Sequence, residues 1–251
     1  MQQRIMHQLG LIGFPLSHSF SKSYFSKKFA QQHIDDWQYD LFPLPNIEQI
    51  EMLISTTPNL IGLNVTLPYK QSVIPYLHQL EEVAIATGAV NTILFEQEKR
   101  IGYNTDVAGF AHCLQILSVE KDIQTALVLG NGGSSKAVQY VLAQYNIAFM
   151  VVSRSSAAAT IMYDDLDANI IAAHQLIINT TPLGMLPYEH TFPLIPYEYL
   201  TPAHVLFDLV YNPAETVFLQ KGKAVGCVTM SGLPMLYAQA DAAWDIWQKT
   251  I

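Results

Sequence analysis

The amino-acid sequence predicts an α/β fold with two domains, and three observations support this. Strand-like and helix-like segments alternate almost throughout the 251 residues, a length that allows one large or two small domains. In the second half of the chain the strand-like segments are continuous apolar runs, as in a parallel sheet covered on both faces. This texture changes near residues 105 and 231. We therefore expect a first domain over residues 1–105 plus 232–251, and a second domain over residues 106–231.

The first domain is predicted to alternate strands and helices and then to form a hairpin. The predicted strands are residues 8–13, 37–42 and 59–66, followed by the hairpin strands 89–96 and 99–103. The predicted helices are residues 20–33, 46–54 and 69–86, the last divided near Gln79. The chain closes with a helix over residues 234–249, where Pro234 suits the first helical turn.

The second domain is predicted to begin with a helix at Thr105 or Asp106, because apolar residues then recur at helical spacing. The apolar stripe of this helix consists of Val107, Phe110, Ala111, Leu114 and Leu117. The strands predicted after it are residues 125–129, 147–152, 175–178 and 203–210, with a short strand at 224–229.

Composition and charge narrow the class of protein. Half of the residues are apolar, which allows a substantial core, and the net charge of −8 argues against nucleic acid as a partner. Cys113 and Cys227 have no spaced partners, so we expect free buried thiols in a reducing compartment. No apolar run approaches the ~18 residues of a membrane span, and the N-terminal stretch lacks the order of an export signal. The sequence therefore predicts a soluble cytoplasmic protein, and no His/Cys cluster suggests a metal.

A glycine-rich turn between a strand and a helix predicts a dinucleotide site. In "TALVLGNGGSSKAVQYVLAQ" an apolar strand runs into Gly130-Asn131-Gly132-Gly133-Ser134-Ser135 and then into a helix. Glycines let the backbone approach a pyrophosphate, and the helix N-terminus supplies unpaired N–H groups. The alternative is a plain strand–helix turn. The next strand ends in Arg154 and no acid follows before Asp164, which favours NADP over NAD unless Arg154 is only a solvent-exposed loop residue.

In the first domain, polar residues stand at the ends of apolar strands, where ligands usually lie in α/β sheets. They occur in "GFPLSHSFS", "NVTLPYK", "AVNTI" and "GYNTDVAGF". Each has an ordinary alternative: serines that cap a helix, a solvated Lys70 in a surface turn, and Asp106 in the first turn of its helix. Asn91 falls within a predicted strand and Gln239 on the buried stripe of the last helix, so both amides are expected to find partners.

Taken together, these stretches resemble the shikimate dehydrogenase family. "GFPLSHSFS", "GLNVTLPYK", "GAVNTI", "GYNTDVAGF", "LGNGGSS", "NTTPLGM", "FDLVYNPAET" and "SGLPMLYAQADAAWDIW" occur in the order seen in that family. The resemblance implies an α/β substrate domain and a Rossmann-like NADP-binding domain that face each other across a groove, with the C-terminal helix returning to the first domain. It also implies reduction of 3-dehydroshikimate to shikimate with NADPH, in the pathway to aromatic amino acids.

The resemblance further implies a role for individual residues. Lys70 and Asp106 match the catalytic pair, in which a protonated lysine donates to the alkoxide that develops on the reduced ketone. The positions that match substrate contacts are Ser19, Ser21, Thr66, Lys70, Asn91, Asp106, Tyr211 and Gln239. The positions that match nucleotide contacts are Gly130, Asn131, Gly132, Gly133, Ser134, Arg154, Leu209 and Gly232.

The chain departs from the family pattern chiefly on the nucleotide side. Asn131 stands where alanine is common, Lys136 where arginine is frequent, and Ser153-Arg154-Ser155 where Asn-Arg-Thr is usual. NADP remains the expected cofactor. The alternatives are a quinate/shikimate dehydrogenase that uses NAD, and a non-catalytic nucleotide-binding homologue. We expect a monomer or homodimer whose two lobes close over the substrate.

Overall fold

The computed structural model describes residues 5–17, 19–155 and 160–249, which fall into two compact units. The first comprises the described parts of Met1–Thr105 and Ala240–Ile251, and the second comprises those of Asp106–Gln239. Each unit is α/β and contains a six-stranded sheet, which confirms the predicted fold class. The sequence assigns all of 232–251 to the first domain. In the structure the contacts divide this stretch at Ala240, because Met235 packs into the core of the second unit.

The sheet of the first unit has strands in the order β2-β1-β3-β5-β6-β4. These strands are β1 (His7–Gly13), β2 (Trp37–Pro43), β3 (Leu60–Val65), β4 (Gln79–Leu80), β5 (Thr92–Glu96) and β6 (Lys99–Tyr103). The helices are α1 (Ser21–Gln31), α2 (Ile50–Thr56) and α3 (Glu82–Thr87). β1 pairs in parallel with β2 and β3, whereas β5 is antiparallel to β3 and to β6.

Alternating side chains of the first sheet form two apolar layers. Leu9 and Leu11 of β1 pack on one face with aromatic residues of α1, whereas Ile12 packs on the opposite face. Residues 240–247 of the final helix contribute to the first of these layers, because Trp247 is fully buried there and its Nε1 donates to Ile93 O (3.0 Å). The final helix thus returns to the first unit, as predicted.

One predicted helix of the first unit is largely wrong. The sequence predicts two helical pieces over residues 69–86, but residues 70–73 form turns, Ile74–Tyr76 is a single 3₁₀ turn, and Gln79–Leu80 is a short strand. Only α3 matches the expectation. The reason is that backbone groups of this segment pair outside it: the N–H of His78 donates to Arg100 O (2.9 Å) and the N–H of Glu81 to Gly102 O (2.9 Å).

The second unit contains a parallel sheet with strands in the order β12-β11-β10-β7-β8-β9. Its helices are α4 (Asp106–Glu120), α5 (Gly133–Gln144), α6 (Ala168–Ala173), α7 (Val217–Ala224) and the part of α8 (Leu233–Gln248) that precedes Ala240. Its strands are β7 (Thr125–Leu129), β8 (Ala148–Ser153), β9 (Ile161–Met162), β10 (Leu176–Asn179), β11 (Val205–Asp208) and β12 (Val228–Ser231). The direction of strand order reverses between β7 and β10, which is the topological switch point of a doubly wound fold.

Both faces of the second sheet are covered, which explains its continuous apolar strands. Ala126 and Val128 of β7 pack in one core cluster, whereas Leu127 and Leu129 pack in another. The predicted strand at 224–229 is partly wrong, since residues 217–224 form α7 and β12 starts only at Val228. Thr216 begins α7 by accepting the N–H of Leu219 at its hydroxyl (3.4 Å). Over the described ranges, the helices are too short or too polar to cross a membrane.

Candidate active site

Several polar stretches that the sequence analysis identified lie at one edge of the first sheet. β1 and β3 are parallel, so their carboxyl ends share an edge, and residues 14–21 and 66–70 follow those ends. β5 runs in the opposite direction, and its first residue, Thr92, is paired with Asn64 on one side and Tyr103 on the other. Asn91, Asn104 and Thr105 therefore lie at the same edge. The strand register thus brings these polar stretches, which the sequence places at strand ends, to one edge of the first sheet.

A buried hydrogen-bond network joins three of these motifs. Asn64 Nδ2 donates to Asn91 O (3.2 Å) and to Thr92 Oγ1 (3.1 Å). Asn91 Oδ1 accepts the N–H of Thr105 (2.7 Å), and Asn91 Nδ2 donates to Thr105 Oγ1 (2.9 Å). Tyr39 OH donates to Asn64 Oδ1 (2.8 Å) from the neighbouring strand. Asn91 lies just before β5 rather than within it, and its amide is paired, as expected for a buried amide.

This network fixes the backbone around Lys70 and just before Asp106. The N–H of Val90 donates to Lys70 O (2.7 Å), and the next residue, Asn91, binds Thr105. Lys70 is half-buried, and Asp106 is the first residue of α4 with 6% of its surface exposed. The turn before Lys70 is held by Tyr69, whose OH donates to Leu44 O (2.5 Å).

Thr66 and the two serines also stand at this edge. The N–H of Thr66 donates to Ile12 O (2.9 Å), and its side chain is half-buried. Ser19 and Ser21 are half-buried and lie where the chain leaves β1 and enters α1. Ser19 Oγ accepts the N–H of Ser21 (3.3 Å), whereas the N-cap residue itself, Phe20, makes no side-chain capping bond. Capping of α1 thus accounts for the hydroxyl of Ser19 but not for that of Ser21.

The glycine turn follows β7 at the switch point of the second sheet. Gly130 has φ +104°, a conformation that favours glycine, and a Cβ there would lie 2.9 Å from Thr180 Oγ1. At Gly132 an added Cβ would meet nothing within 4 Å, so the space above the N-terminus of α5 is open. Gly133 and Ser134 form the first turn of α5, whose N–H groups suit a phosphate. The residues present therefore fit a dinucleotide pyrophosphate.

Asn131, the departure from the family pattern, is held by the helix behind it. Gln139 Nε2 donates to Asn131 Oδ1 (3.0 Å) and to Ser135 Oγ (2.9 Å). Ser135 is fully buried, and its Oγ donates to Gly130 O (2.7 Å). The amide of Asn131 is thus part of the internal bonding of the turn, which the sequence pattern did not indicate.

The other candidate nucleotide residues follow further strands at the same carboxyl edge of the parallel sheet. Arg154 is exposed directly after β8, and Leu209 follows β11. Gly232 follows β12, and a Cβ there would lie 2.1 Å from Leu209 O, so the two backbones touch.

Two candidate substrate residues also lie in the second unit. Tyr211 is half-buried two residues after Leu209. Gln239 is a half-buried residue of α8, and its Nε2 donates to Leu236 O (2.8 Å).

Sequence reasoning missed a buried polar cluster beside Leu209. Asp208 is fully buried at the end of β11 and accepts hydrogen bonds from Asn179 Nδ2 (2.9 Å), the N–H of Val210 (3.0 Å) and Thr216 Oγ1 (2.5 Å). Burial raises the pKa of Asp208 to about 6, although these hydrogen bonds favour the charged form. The signal was present in "FDLVYNP", where an acid ends an apolar strand.

The fold and these two groups of residues define the chain as a dinucleotide-dependent oxidoreductase of the α/β class. A shikimate dehydrogenase (NADP(+)) from Desulforamulus reducens is 35% identical over 259 residues, covering 95% of this chain and 88% of that protein. The chain belongs to the shikimate dehydrogenase family. Residues 11–93 match the model of the shikimate dehydrogenase substrate binding domain, which includes the edge described above up to Asn91.

Solved structures agree with this assignment. The shikimate 5-dehydrogenase of Thermus thermophilus, in complex with NADP(H) and shikimate, is 28% identical with a TM-score of 0.85, over 97% of this chain and 94% of that one. The quinate dehydrogenase of Corynebacterium glutamicum, in complex with NAD, is 26% identical with a TM-score of 0.85, over the same shares. The resemblance seen in the motifs is confirmed.

Proposed function

We propose that the chain catalyses the reversible, NADPH-dependent reduction of 3-dehydroshikimate to shikimate, a step in the biosynthesis of aromatic amino acids. The observation that carries this proposal is the network of Asn64, Asn91 and Thr105. It joins the segments that bear Lys70 and Asp106, the two residues whose chemistry the reaction needs. Membership of the family supports the same activity.

Lys70 is proposed as the proton donor and Asp106 as the carboxylate that keeps it charged. NADPH, when bound, would supply the hydride that the C3 ketone carbon accepts. Lys70 then stabilises the oxygen on which negative charge develops and gives it a proton, and in the reverse direction it accepts that proton. The contact of Lys70 O with Val90 holds the backbone in place while the ammonium acts.

Six further residues are proposed to hold the substrate ring and its carboxylate. Hydroxyls and amides suit a polyhydroxylated ring, and a site built to bond hydroxyls rejects analogues that lack them by large factors. These residues are Ser19, Ser21, Thr66, Asn91, Tyr211 and Gln239. Apart from its proposed substrate contact, Asn91 bonds the N–H and the hydroxyl of Thr105.

The second unit is proposed to hold NADP. Its phosphate turn comprises Gly130, Asn131, Gly132, Gly133 and Ser134, where open space and helix N–H groups coincide. Arg154 is proposed to bind the 2′-phosphate, because no acid stands at the end of β8 to bind a ribose 2′-hydroxyl. Leu209 and Gly232 are proposed to contact the nicotinamide end.

The test is a spectrophotometric assay of shikimate oxidation with NADP, repeated with quinate and with NAD. We expect the highest kcat/KM for shikimate with NADP. A higher value for quinate with NAD would favour the second candidate function, a quinate/shikimate dehydrogenase that uses NAD. The similarity to the quinate dehydrogenase of Corynebacterium glutamicum is the observation that supports this candidate. Binding of NADPH without any turnover would favour a non-catalytic homologue, although both Lys70 and Asp106 are present.

Two further properties belong to this proposal. We place the enzyme in the cytoplasm, where NADPH and the thiols of Cys113 and Cys227 are kept reduced. We propose a monomer or homodimer without nucleic acid or membrane partners, consistent with the net charge of −8. Sedimentation of the purified protein would measure its state of assembly.

A further inference from the structure

Asp208 carries a buried charge that only neutral groups stabilise. Its side chain is fully buried, and its three hydrogen-bond donors are the amide of Asn179, the backbone of Val210 and the hydroxyl of Thr216. Among the described residues, the ion pairs join other carboxylates and none includes Asp208. A buried charge without a counter-charge is costly, so a nearby cation would relieve that cost.

The carboxyl group is mostly ionised at neutral pH. Burial raises its pKa to about 6, and the hydrogen bonds from Thr216, Val210 and Asn179 hold it from rising further. Its field reaches neighbouring groups: the pKa of Tyr197 is raised first by burial and then by the charge of Asp208. The charge is therefore felt beyond its own hydrogen-bond partners.

Strand order places Asp208 in the half of the sheet that would hold nicotinamide. β7, β8 and β9 lie on one side of the switch point, and β10, β11 and β12 on the other. A doubly wound sheet binds the two halves of a dinucleotide on its two sides. Arg154 after β8 assigns the adenosine 2′-phosphate to the first side, which leaves nicotinamide to the second. Asp208 ends β11 and precedes Leu209, whose carbonyl touches Gly232.

We propose that the charge of Asp208 makes the protein bind the oxidised cofactor, whose nicotinamide ring is a cation, more tightly relative to the reduced cofactor, whose ring is neutral. The inference rests on the proposed function, because it requires NADP(H) to bind at this edge. Asp208 acts through space rather than by contact with the reacting atoms. The attraction between opposite charges in a partly buried site persists over several ångströms, which is enough to alter an affinity.

The test is the variant Asp208→Asn, which keeps the size and the acceptor oxygen of the side chain and removes its charge. We expect Kd for NADP+ to rise about fivefold or more and Kd for NADPH to change less than about twofold, because only the cationic ring feels the lost charge. Both values are measured by titration calorimetry at pH 7.5. Adenosine 2′,5′-bisphosphate, which lacks nicotinamide, should bind equally to the variant and the wild type.

The matched control is Glu215→Gln, which removes an exposed carboxylate that pairs with Lys223 and should leave all three affinities unchanged. Equal weakening of NADP+ and NADPH by Asp208→Asn would mean that the carboxyl group only shapes the loop, and would overturn the proposal. Unchanged affinities would overturn it as well. If the Asn variant does not fold, Asp208→Ser removes the same charge and is measured in the same way.

Failure of this proposal is distinguishable from failure of the proposed function. If the wild type binds neither cofactor, or binds both without oxidising shikimate, the proposed function is wrong. If the wild type binds both cofactors and turns over shikimate while the ratio of the two Kd values is the same in Asp208→Asn, only the electrostatic role of Asp208 is wrong.

Discussion

Replacement of Gly132 by alanine tests the proposed phosphate turn directly, because the protein itself leaves room for the added methyl group. The backbone of Gly132, with φ −82° and ψ −174°, is one that alanine adopts readily. A Cβ there would meet nothing within 4 Å. Gly132 is the N-cap of α5, where alanine is poorer than glycine, so the expected loss of unfolding free energy is no more than about 1 kcal/mol.

Cofactor affinity should respond much more strongly than stability. In the proposed site the open space at Gly132 is where the pyrophosphate approaches the N–H groups of α5. A methyl group in that space forces the phosphates away from those donors. We expect Kd for NADPH to rise at least about tenfold, which corresponds to about 1.4 kcal/mol.

Gly232→Ala is the contrasting variant, because its methyl group meets backbone. The Cβ would lie 2.1 Å from Leu209 O, so the main chain after β11 must move. Forcing extra volume into a packed region costs about 1–3 kcal/mol. Here stability and cofactor affinity should fall together.

Both variants are compared with the wild type by urea unfolding, followed by far-ultraviolet circular dichroism, and by fluorescence titration with NADPH. Wild-type affinity in Gly132→Ala would refute the position assigned to the pyrophosphate. Wild-type stability in Gly232→Ala would refute the close contact between residues 209 and 232.

Lys70→Ala should lower kcat/KM for shikimate by about a thousandfold because it removes the proposed proton donor, with the fold retained because the bond from the N–H of Val90 to Lys70 O is kept; activity within tenfold of wild type would exclude it as the proton donor. Asn91→Ala should lower the free energy of unfolding by about 2–4 kcal/mol because Thr105 loses its buried partner; an unchanged urea midpoint, read by tryptophan fluorescence, would contradict that anchoring role. The pKa of Asp208 is about 6 in the folded protein, against an ordinary value of 3.8. Because the folded state binds this proton more tightly, the protonated carboxyl group stabilises the fold fully below pH 3.8. This stabilisation, at most about 3 kcal/mol, is lost as the pH rises through 6. Urea unfolding at pH 4 and pH 7 should show this loss in the wild type and not in Asp208→Asn, and equal losses in both would contradict it.

The sequence was sufficient to predict most of the sheet strands and the edge at which the candidate residues gather. Strands β1, β3 and β7 are bounded by glycine, proline and polar residues, so their ends are visible in the chain itself. Once the strand ends are known, parallel pairing brings the residues after them to one edge. The placement of Lys70 follows from that rule, whereas Asn91 reaches the same edge because it precedes β5, which is antiparallel to β3.

Two segments escaped prediction, each for a different reason. Residues 69–80 contain enough apolar residues to suggest a helix, yet the N–H groups from Val73 to Leu77 form only local turn bonds, and the N–H of His78 bonds to Arg100 O in β6. In α7 the glycine at 222 and the flanking lysines break the apolar pattern, so the helix depends on the cap at Thr216 and on packing of Phe218.

The internal bonding of the candidate sites was equally hidden. Asp208 accepts hydrogen bonds from Asn179 and Thr216. These three residues lie in separate segments, and no local sequence pattern connects them. Gln139 of α5 bonds Asn131, which lies just before that helix. The sequence does not predict this bond, because a glutamine on a helix is equally often exposed to solvent. Chemical type at a strand end can be read from sequence, whereas the partner that orients a side chain requires coordinates.

Both cysteines of the chain lie buried in the core of the second unit. Cys113 is fully enclosed, and burial raises the pKa of its thiol to about 12, so almost no reactive thiolate is present in the fold. A maleimide or a disulfide reagent should therefore modify the protein only during transient opening of that core. The rate of alkylation then measures how often the nucleotide-binding half opens, in unmodified enzyme and without an introduced label, and a bound dinucleotide should slow it.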